Sequence, residues 1–249
     1  MNNLVSIITP SYNSSRFIVR CADSVLAQTY RNWEMIIIDD CSVDNTKDKI
    51  ETLVKLDERI KTIYLKKNVG PAQARNEGLK IARGRYISFL DSDDLWYSNK
   101  LETQVAFMNE RNIAFSFSNY ETISKDGKQI LRTIKVPQKI DYDAYLKNTI
   151  IGCLTVMINK EKTGYFEMPN IRSSHDMALW LEIMKRGFDA YGLNQNLAQY
   201  RILEDSNTSN KLQAAKEVWF LYRNIEKLSF TYSIVCFAGY IFNAIRKRV

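Results

Sequence analysis

The sequence predicts a mixed α/β domain with a mainly parallel central sheet flanked by helices, followed by a C-terminal helical tail. Three observations lead there. Strand-like and helix-like segments alternate from residue 5 to residue 118, the pattern of a sheet covered on both faces. Polar or acidic groups follow the first strand (Thr9, Ser11, Tyr12, Asn13), the second (Asp39, Asp40) and the fourth (Asp91, Asp93), where open parallel sheets bind ligands. The last stretch, Leu228 to Ile245, is apolar and aromatic, with Ser229, Thr231, Ser233 and Asn243 interrupting it.

Taken in order, Val5 to Thr9 reads as a strand, Ser15 to Gln28 as helical, Glu34 to Asp39 as a strand and Asn45 to Leu56 as helical. Ile60 to Leu65 is the third strand. Asn68-Val69-Gly70-Pro71 then opens a helix over Pro71 to Ala82, with the proline in its favoured first-turn position. Amides at that helix start, with Arg75 one turn in, suit a phosphate; a surface ion pair is the alternative use of Arg75.

Tyr86 to Leu90 is a strand that runs directly into Asp91, Asp93 and Asp94. Hard divalent ions such as Mg²⁺ or Mn²⁺ prefer oxygen ligands, and Mg²⁺ usually takes one or two carboxylates and completes its shell with water and substrate phosphates. An Asp-x-Asp at a strand end therefore suggests a metal and diphosphate site, and on these residues alone a solvated, helix-capping turn stands beside it.

Asn99 to Asn109 is helical and Ile113 to Ser118 a strand. From Asn119 to Val136 the pattern becomes polar alternation around Lys125-Asp126-Gly127, a hairpin signal that reads as an insertion. Ile150 to Ile158 is apolar and strand-like. Ser173-Ser174-His175-Asp176, preceded by Arg172, leads into a helix from Met177 to Lys185 that ends at Gly187.

The charge is placed unevenly. Residues 211–249 hold seven Lys/Arg against two Asp/Glu, a net of +5 out of +7 for the whole chain. That argues against nucleic acid as a partner, which would call for a basic stripe on the folded body, and points to an anionic surface touched by the tail. Four scattered cysteines and a single histidine indicate neither a zinc site nor a disulfide framework. The start lacks the basic and apolar regions of a signal peptide, so a cytoplasmic location is expected. No Gly-x-Gly-x-x-Gly fingerprint or Walker loop occurs.

Five blocks, Ile-Ile-Thr-Pro-Ser-Tyr-Asn, Ser-Val-Leu-Ala-Gln-Thr-Tyr, Ile-Ile-Asp-Asp-Cys-Ser-Val-Asp-Asn-Thr, Asn-Val-Gly-Pro-Ala-Gln-Ala-Arg-Asn-Glu-Gly and Phe-Leu-Asp-Ser-Asp-Asp-Leu-Trp, follow one another. In this order and spacing the sequence resembles the family 2 inverting glycosyltransferases of the GT-A fold, of the bacterial surface-polysaccharide type. The resemblance spans Leu4 to Ser209. It implies a UDP-sugar donor, with Pro10 and Tyr12 against the base and Asp40 hydrogen-bonding it. Arg75 would help hold the nucleotide, Asp91 would face the ribose or metal, and Asp93 would bind the Mn²⁺ or Mg²⁺ bridging the diphosphate. Asp94 would act behind them. Asp176 matches the family's general base, with His175 where a Glu commonly stands. Tyr200-Arg201 matches a late pair but lacks the following His, so Arg201 is expected either to meet the diphosphate or, like Asp94, to act behind the residues that do. Trp180 is either a sugar platform or core.

The resemblance further implies a domain over 1–209, with a nucleotide-sugar half (1–118) and an acceptor half (119–209); beyond it, the charge placement and the apolar run read as a basic amphipathic tail over 210–249. The tail reads as an interfacial helix on the inner face of the cell membrane or as a helix packed on the domain. The first alternative suggests a polyprenyl-diphosphate-linked glycan acceptor. Two other readings remain at this point: a haloacid-dehalogenase-like phosphatase, which expects its Asp-x-Asp nearer the N-terminus, and a non-catalytic membrane-tethered nucleotide-sugar-binding scaffold.

Overall fold

The computed structural model describes residues 3–171, 173–203 and 211–246. Arg172, residues 204–210 with the division placed at 209, and the basic end at Lys247 and Arg248 lie outside the described residues.

The first half is the expected alternation. It runs β1 (Val5–Ser11), α1 (Ile18–Leu26), β2 (Trp33–Asp39), α2 (Thr46–Leu56), β3 (Ile60–Tyr64), α3 (Pro71–Ile81) and β4 (Tyr86–Phe89). The four strands are parallel in the order β3-β2-β1-β4. The chain winds outward from β1 to β3 and then crosses back to the other side of β1. The crevice beyond the carboxyl ends of β1 and β4 is therefore the switch point where such sheets bind ligands.

Alternation along the strands divides the core into two layers, since successive side chains point to opposite faces. Val5, Ile7, Met35 and Ile37 pack with Ile18, Cys21, Ala22 and Val25 of α1 and with Ile50 and Leu53 of α2. Ile8, Ile36 and Ile38 face the other way, onto Ala72, Ala74 and Leu79 of α3. The α3 helix lies close to the sheet because Gly78 sits over Ile38: a Cβ there would meet Ile38 Cδ1 at 2.7 Å and Ile8 Cγ2 at 3.0 Å.

The second half is β5 (Leu95–Trp96), α4 (Lys100–Glu110), β6 (Phe115–Ile123), β7 (Ile130–Ile134), β8 (Lys139–Ile140), α5 (Tyr142–Lys147), β9 (Met157–Asn159), α6 (Lys160–Thr163), α7 (His175–Lys185) and β10 (Ala190–Arg201). The sheet continues β4-β9-β6-β10-β5, with β7 on β6 and β8 on β10. β9 is antiparallel to both of its neighbours, and β10 runs parallel to β6. The segment read as an insertion is a hairpin that carries β6 five residues beyond Ser118 before returning as β7.

The strand expected over Ile150 to Ile158 is corrected: only Met157–Asn159 is strand, preceded by a 3₁₀ turn at Cys153–Thr155. Its apolar residues Ile151, Leu154 and Val156 are buried all the same. Thr155 donates to the Gly152 carbonyl through both N and Oγ1, and Trp96 Nε1 donates to the Leu154 carbonyl. Burial thus produces the apolar pattern while local bonds curl the backbone. Trp180 is core, fully buried between Phe89 and Phe115 at centroid distances of 5.7 and 5.4 Å.

After α8 (Lys211–Phe220) a π-helical turn at Leu221–Ile225 leads to α9 (Phe230–Arg246). The inner side of this tail packs on α5: Tyr222 Oη donates to the Leu146 carbonyl, Tyr232 Oη to Asp143 (2.5 Å), and Asn243 Nδ2 to the Lys147 carbonyl (3.0 Å). The other side of α9 exposes Phe230, Ile234, Val235, Ile241 and Phe242. Among the described residues no helix is long and apolar enough to cross a membrane.

Candidate active site

The strand ends of the first half open into one cavity of about 1000 Å³. Pro10, Tyr12, Asp40, Arg75, Asp91, Asp93, Asp94 and Asp176 all line it, so eight of the nine residues expected at the site converge. Its rim is built on unusual backbone. Asn13, Cys41 and Ser174 hold φ of 48°, 65° and 56°, left-handed conformations that cost of order 1–3 kcal/mol for a residue with a side chain. They turn the chain after β1, after β2 and before α7.

Asp40 is buried, and its carboxylate oxygens accept from Val69 N and Gly70 N, each at 2.8 Å. It therefore anchors the start of α3, while each oxygen keeps a lone pair for a further donor. Gly70 sits at φ 84°, which Pro71 then follows into the helix.

Arg75 is 3% exposed and serves the interior. Its Nη2 pairs with Asp91 and its Nη1 stands 2.8 Å from His175 Nε2, while Nε has no hydrogen-bond partner among the described residues. Burial works against its charge, but the neighbouring Asp91, followed by Cys153 and Asp176, holds its proton more tightly than usual. The alternative of a surface ion pair is thereby set aside; the ion pair is part of the cavity wall.

The three aspartates differ. Asp93 is pushed up to about 6, first by burial and then by Asp91, so its charged form lacks compensation. Asp94 is pushed well up by burial, Asp93 and Asp91, and its Oδ1 accepts from Arg201 N at 2.8 Å. Among the described residues no group of three His, Cys, Asp or Glu is arranged to hold a metal ion. Asp91 and Asp93 nevertheless fit the mode in which two carboxylates and a substrate's phosphates share one divalent cation, and a cation there would offset the repulsion that raises Asp93.

Of the two places expected for Arg201, the structure gives the one behind the site. Its side chain is not on the cavity wall: Nε donates to the Asp93 carbonyl (2.7 Å), Nη1 to the carbonyls of Ser124 (3.3 Å) and Lys125 (3.0 Å), and the guanidinium lies 5.2 Å from the Phe17 ring. These bonds tie the β6–β7 turn to the Asp-x-Asp turn.

Asp176 lies in the first turn of α7, and its Oδ1 accepts from Met177 N at 2.8 Å. His175 beside it is depressed below the usual imidazole range, first by burial and then by Arg75. The sequence reading missed Arg16 and Lys125, which also line the cavity from the β1–α1 loop and the β6–β7 turn, and Cys153 on its wall. A charged residue in a loop carries no periodic signal, so only the fold brings these together.

Residues 6–163 match the family described as Glycosyl transferase family 2. The chain belongs to that family. This family 2 transferase is 52% identical over 246 residues to TuaG of Bacillus subtilis, a glycosyltransferase assigned to teichuronic acid biosynthesis, covering 99% of this chain and 98% of the relative. It is 43% identical over 217 residues to Escherichia coli WfgD, named a UDP-Glc:alpha-D-GlcNAc-diphosphoundecaprenol beta-1,3-glucosyltransferase, covering 87% and 84%. Among solved structures, S. aureus TarS 1-349 in complex with UDP-GlcNAc superposes with a TM-score of 0.70 at 19% identity, over 95% of the transferase and 71% of that chain. The transferase spans 43% of the longer TarS chain. A mannosyltransferase of Pyrobaculum calidifontis in complex with GDP-Man and Mn²⁺ gives 0.71 at 15% identity, over 98% and 70%. At these identities the structural likeness bears on the fold alone, and the fold is the expected GT-A sheet. Membership of the family sets aside the phosphatase reading.

Proposed function

We propose that the protein is a metal-dependent inverting transferase that moves a sugar from a UDP-sugar to a hydroxyl of a polyprenyl-diphosphate-linked glycan in bacterial surface-polysaccharide synthesis. The observation that carries this reading is the sharing of one cavity by the paired carboxylates Asp91 and Asp93 and the separate carboxylate Asp176. Donor and acceptor chemistry need those two groups for different work.

Pro10 and Tyr12 form an apolar and aromatic ledge at the end of β1, and Asp40 is available to accept from a base imide N–H. Asp93 and Asp91 would hold Mn²⁺ or Mg²⁺, which when bound stabilises charge on the leaving diphosphate. Asp176 takes the proton of the acceptor hydroxyl as it attacks, a contribution of typically about 10²–10⁴-fold. Attack from the face opposite the departing diphosphate inverts the anomeric carbon. Asp94 and Arg201 support the turn that carries Asp93.

WfgD and a second Escherichia coli relative, WfaP, which is 39% identical over 246 residues, are both named for UDP-Glc and GlcNAc-diphosphoundecaprenol. That supports a UDP-sugar and a lipid-linked acceptor here. The exposed apolar side of α9 supports peripheral attachment to the inner face of the membrane.

The test is UDP release from a panel of UDP-sugars, with and without Mn²⁺, in the presence of GlcNAc-diphosphate-lipid. Metal-dependent release from one sugar, coupled to a lengthened acceptor, is expected. UDP binding without transfer to any acceptor in the panel would favour the non-catalytic scaffold.

A further inference from the structure

Two cations at the mouth of the cavity belong to none of the roles above. Arg16 and Lys125 come from opposite walls, the β1–α1 loop and the β6–β7 turn, and both line the main cavity as well as an adjoining hollow of about 450 Å³. Both are exposed, and among the described residues neither side chain has a carboxylate partner. Phe17, Ser124, Asp126 and Gln129 complete the hollow, and the Asp126 carboxylate is engaged by Ser124 Oγ and Lys128 N.

The turn that presents Lys125 is fixed from beneath rather than free. Arg201 Nη1 donates to the carbonyls of Ser124 and Lys125, Arg20 Nη1 donates to the Asp126 carbonyl at 3.0 Å, and Asp126 Oδ1 accepts from Ser124 Oγ at 2.6 Å. Gly127, at φ 74°, lies so close to Arg201 that a Cβ would stand 2.8 Å from Nη1. Two arginine side chains thus hold the turn's backbone while the Lys125 ammonium is left to the cavity mouth.

The charge balance says what the pair is for. The cavity floor carries Asp91, Asp93 and Asp94, and its buried cation, Arg75, is already paired with Asp91. Arg201 does not line the cavity, and its Nε and Nη1 donate to backbone carbonyls. A diphosphate entering this site therefore finds its protein-borne positive charge at the rim. Arginine offers a planar fork for phosphate oxygens and lysine a compact charge.

We infer that Arg16 and Lys125 form a clamp for a diphosphate at the mouth of the cavity. The inference rests on the proposed reaction for its ligand class, which has two sources: the nucleoside diphosphate of the donor and the lipid diphosphate of the acceptor. The chemistry recognised is the same.

Arg16→Glu, Lys125→Glu and the double reversal test it, with Arg16→Gln and Lys125→Gln as milder variants should a reversal disturb folding. Inorganic pyrophosphate and UDP are titrated calorimetrically with and without Mg²⁺, and KM is measured for the UDP-sugar and for two acceptors that differ only in carrying or lacking the diphosphate. Each single reversal is expected to weaken pyrophosphate binding about tenfold, as loss of a charge-assisted contact implies. Weakened UDP binding and a raised donor KM assign the clamp to the donor; a raised KM for the diphosphate acceptor alone assigns it to the acceptor. Pyrophosphate affinity and both KM values unchanged in the folded double variant overturn the clamp. Because pyrophosphate binding needs no turnover, a parent protein inactive with every UDP-sugar would sink the proposed reaction while leaving the clamp to its own test.

Discussion

Arg75 Nη1 stands 2.8 Å from His175 Nε2, so one guanidinium ties the end of β4, through Asp91, to the first residue of the helix that carries Asp176. A guanidinium has no acceptor, so His175 Nε2 accepts and the ring proton sits on Nδ1, which has no partner among the described residues. Burial and the adjacent Arg75 keep this imidazole neutral. His175→Ala is expected to lower kcat about tenfold, in line with loss of one hydrogen bond to a charged group at ~1.5 kcal/mol, with UDP affinity little changed. His175→Gln, whose amide oxygen can accept from Arg75, is expected to recover most of the rate. Equal impairment of the two variants would show that the hydrogen bond does not position the helix.

Asp176→Asn keeps the shape of the first turn of α7 and removes the proton acceptor. UDP and Mn²⁺ binding by calorimetry are expected to match the parent, while transfer falls by about 10²–10⁴-fold. Transfer at the parental rate would remove Asp176 from the role of base.

Asp40 has a structural duty that the resemblance did not reveal. Replacing it with Ala leaves Val69 N and Gly70 N, both half-buried, without their acceptor, a loss of ~0.5–1.5 kcal/mol for each hydrogen bond, measurable by urea denaturation. UDP affinity is expected to fall with it, since the same carboxylate faces the cavity. Loss of stability with unchanged UDP affinity would confine Asp40 to the loop.

The placing of Asp91, Asp93 and Asp40 at strand ends was legible in sequence because apolar runs lead directly into carboxylates, and the mainly parallel sheet followed from the alternation, whereas the order of the strands had no local signal. For Arg201 the sequence left two places open: a Tyr-Arg pair says that a cation is present, not which carbonyls surround it. Ile150 to Ile158 looked like a strand because burial alone creates an apolar run, whereas the curl at Cys153–Thr155 depends on Gly152 and Trp96. Arg16 and Lys125 meet only because the β6–β7 hairpin reaches back to the β1–α1 loop, a contact without local signature.

The outward side of α9 bears on the proposed membrane contact. Val235 and Phe242 are 56% and 65% exposed while Ser233 and Cys236 on the inner side are buried. Val235→Ser with Phe242→Ser leaves the packing on α5 in place and removes apolar surface worth ~1.5–3 kcal/mol per fully buried side chain. Cosedimentation with phosphatidylglycerol vesicles is expected to drop at least tenfold, with UDP binding unaltered. Unchanged cosedimentation would assign the membrane contact elsewhere.

Lys100 gives a pH dependence whose sign can be worked out. It is fully buried, with Nζ 2.5 Å from Gln104 Oε1 and 4.1 Å from the centre of the Trp96 ring, and burial lowers it to about 7. In the unfolded chain a lysine keeps its proton to about pH 10.4. Between these values the unfolded state binds more protons than the native one, so this residue makes stability rise with pH. At and below pH 7 its full penalty is present, and it fades as pH approaches 10. Buried cysteine thiols raised by burial act in the opposite sense over part of this range, so the comparison has to be with Lys100→Met. The Met variant loses the bond to Gln104 at every pH, a constant offset that leaves the slope intact. The stability of the parent relative to Lys100→Met, from urea titrations at pH 7, 8, 9 and 10, is expected to increase by up to about 1.4 kcal/mol per pH unit. A flat difference would mean that Lys100 stays charged in the fold, with Gln104 and the Trp96 ring carrying its ammonium.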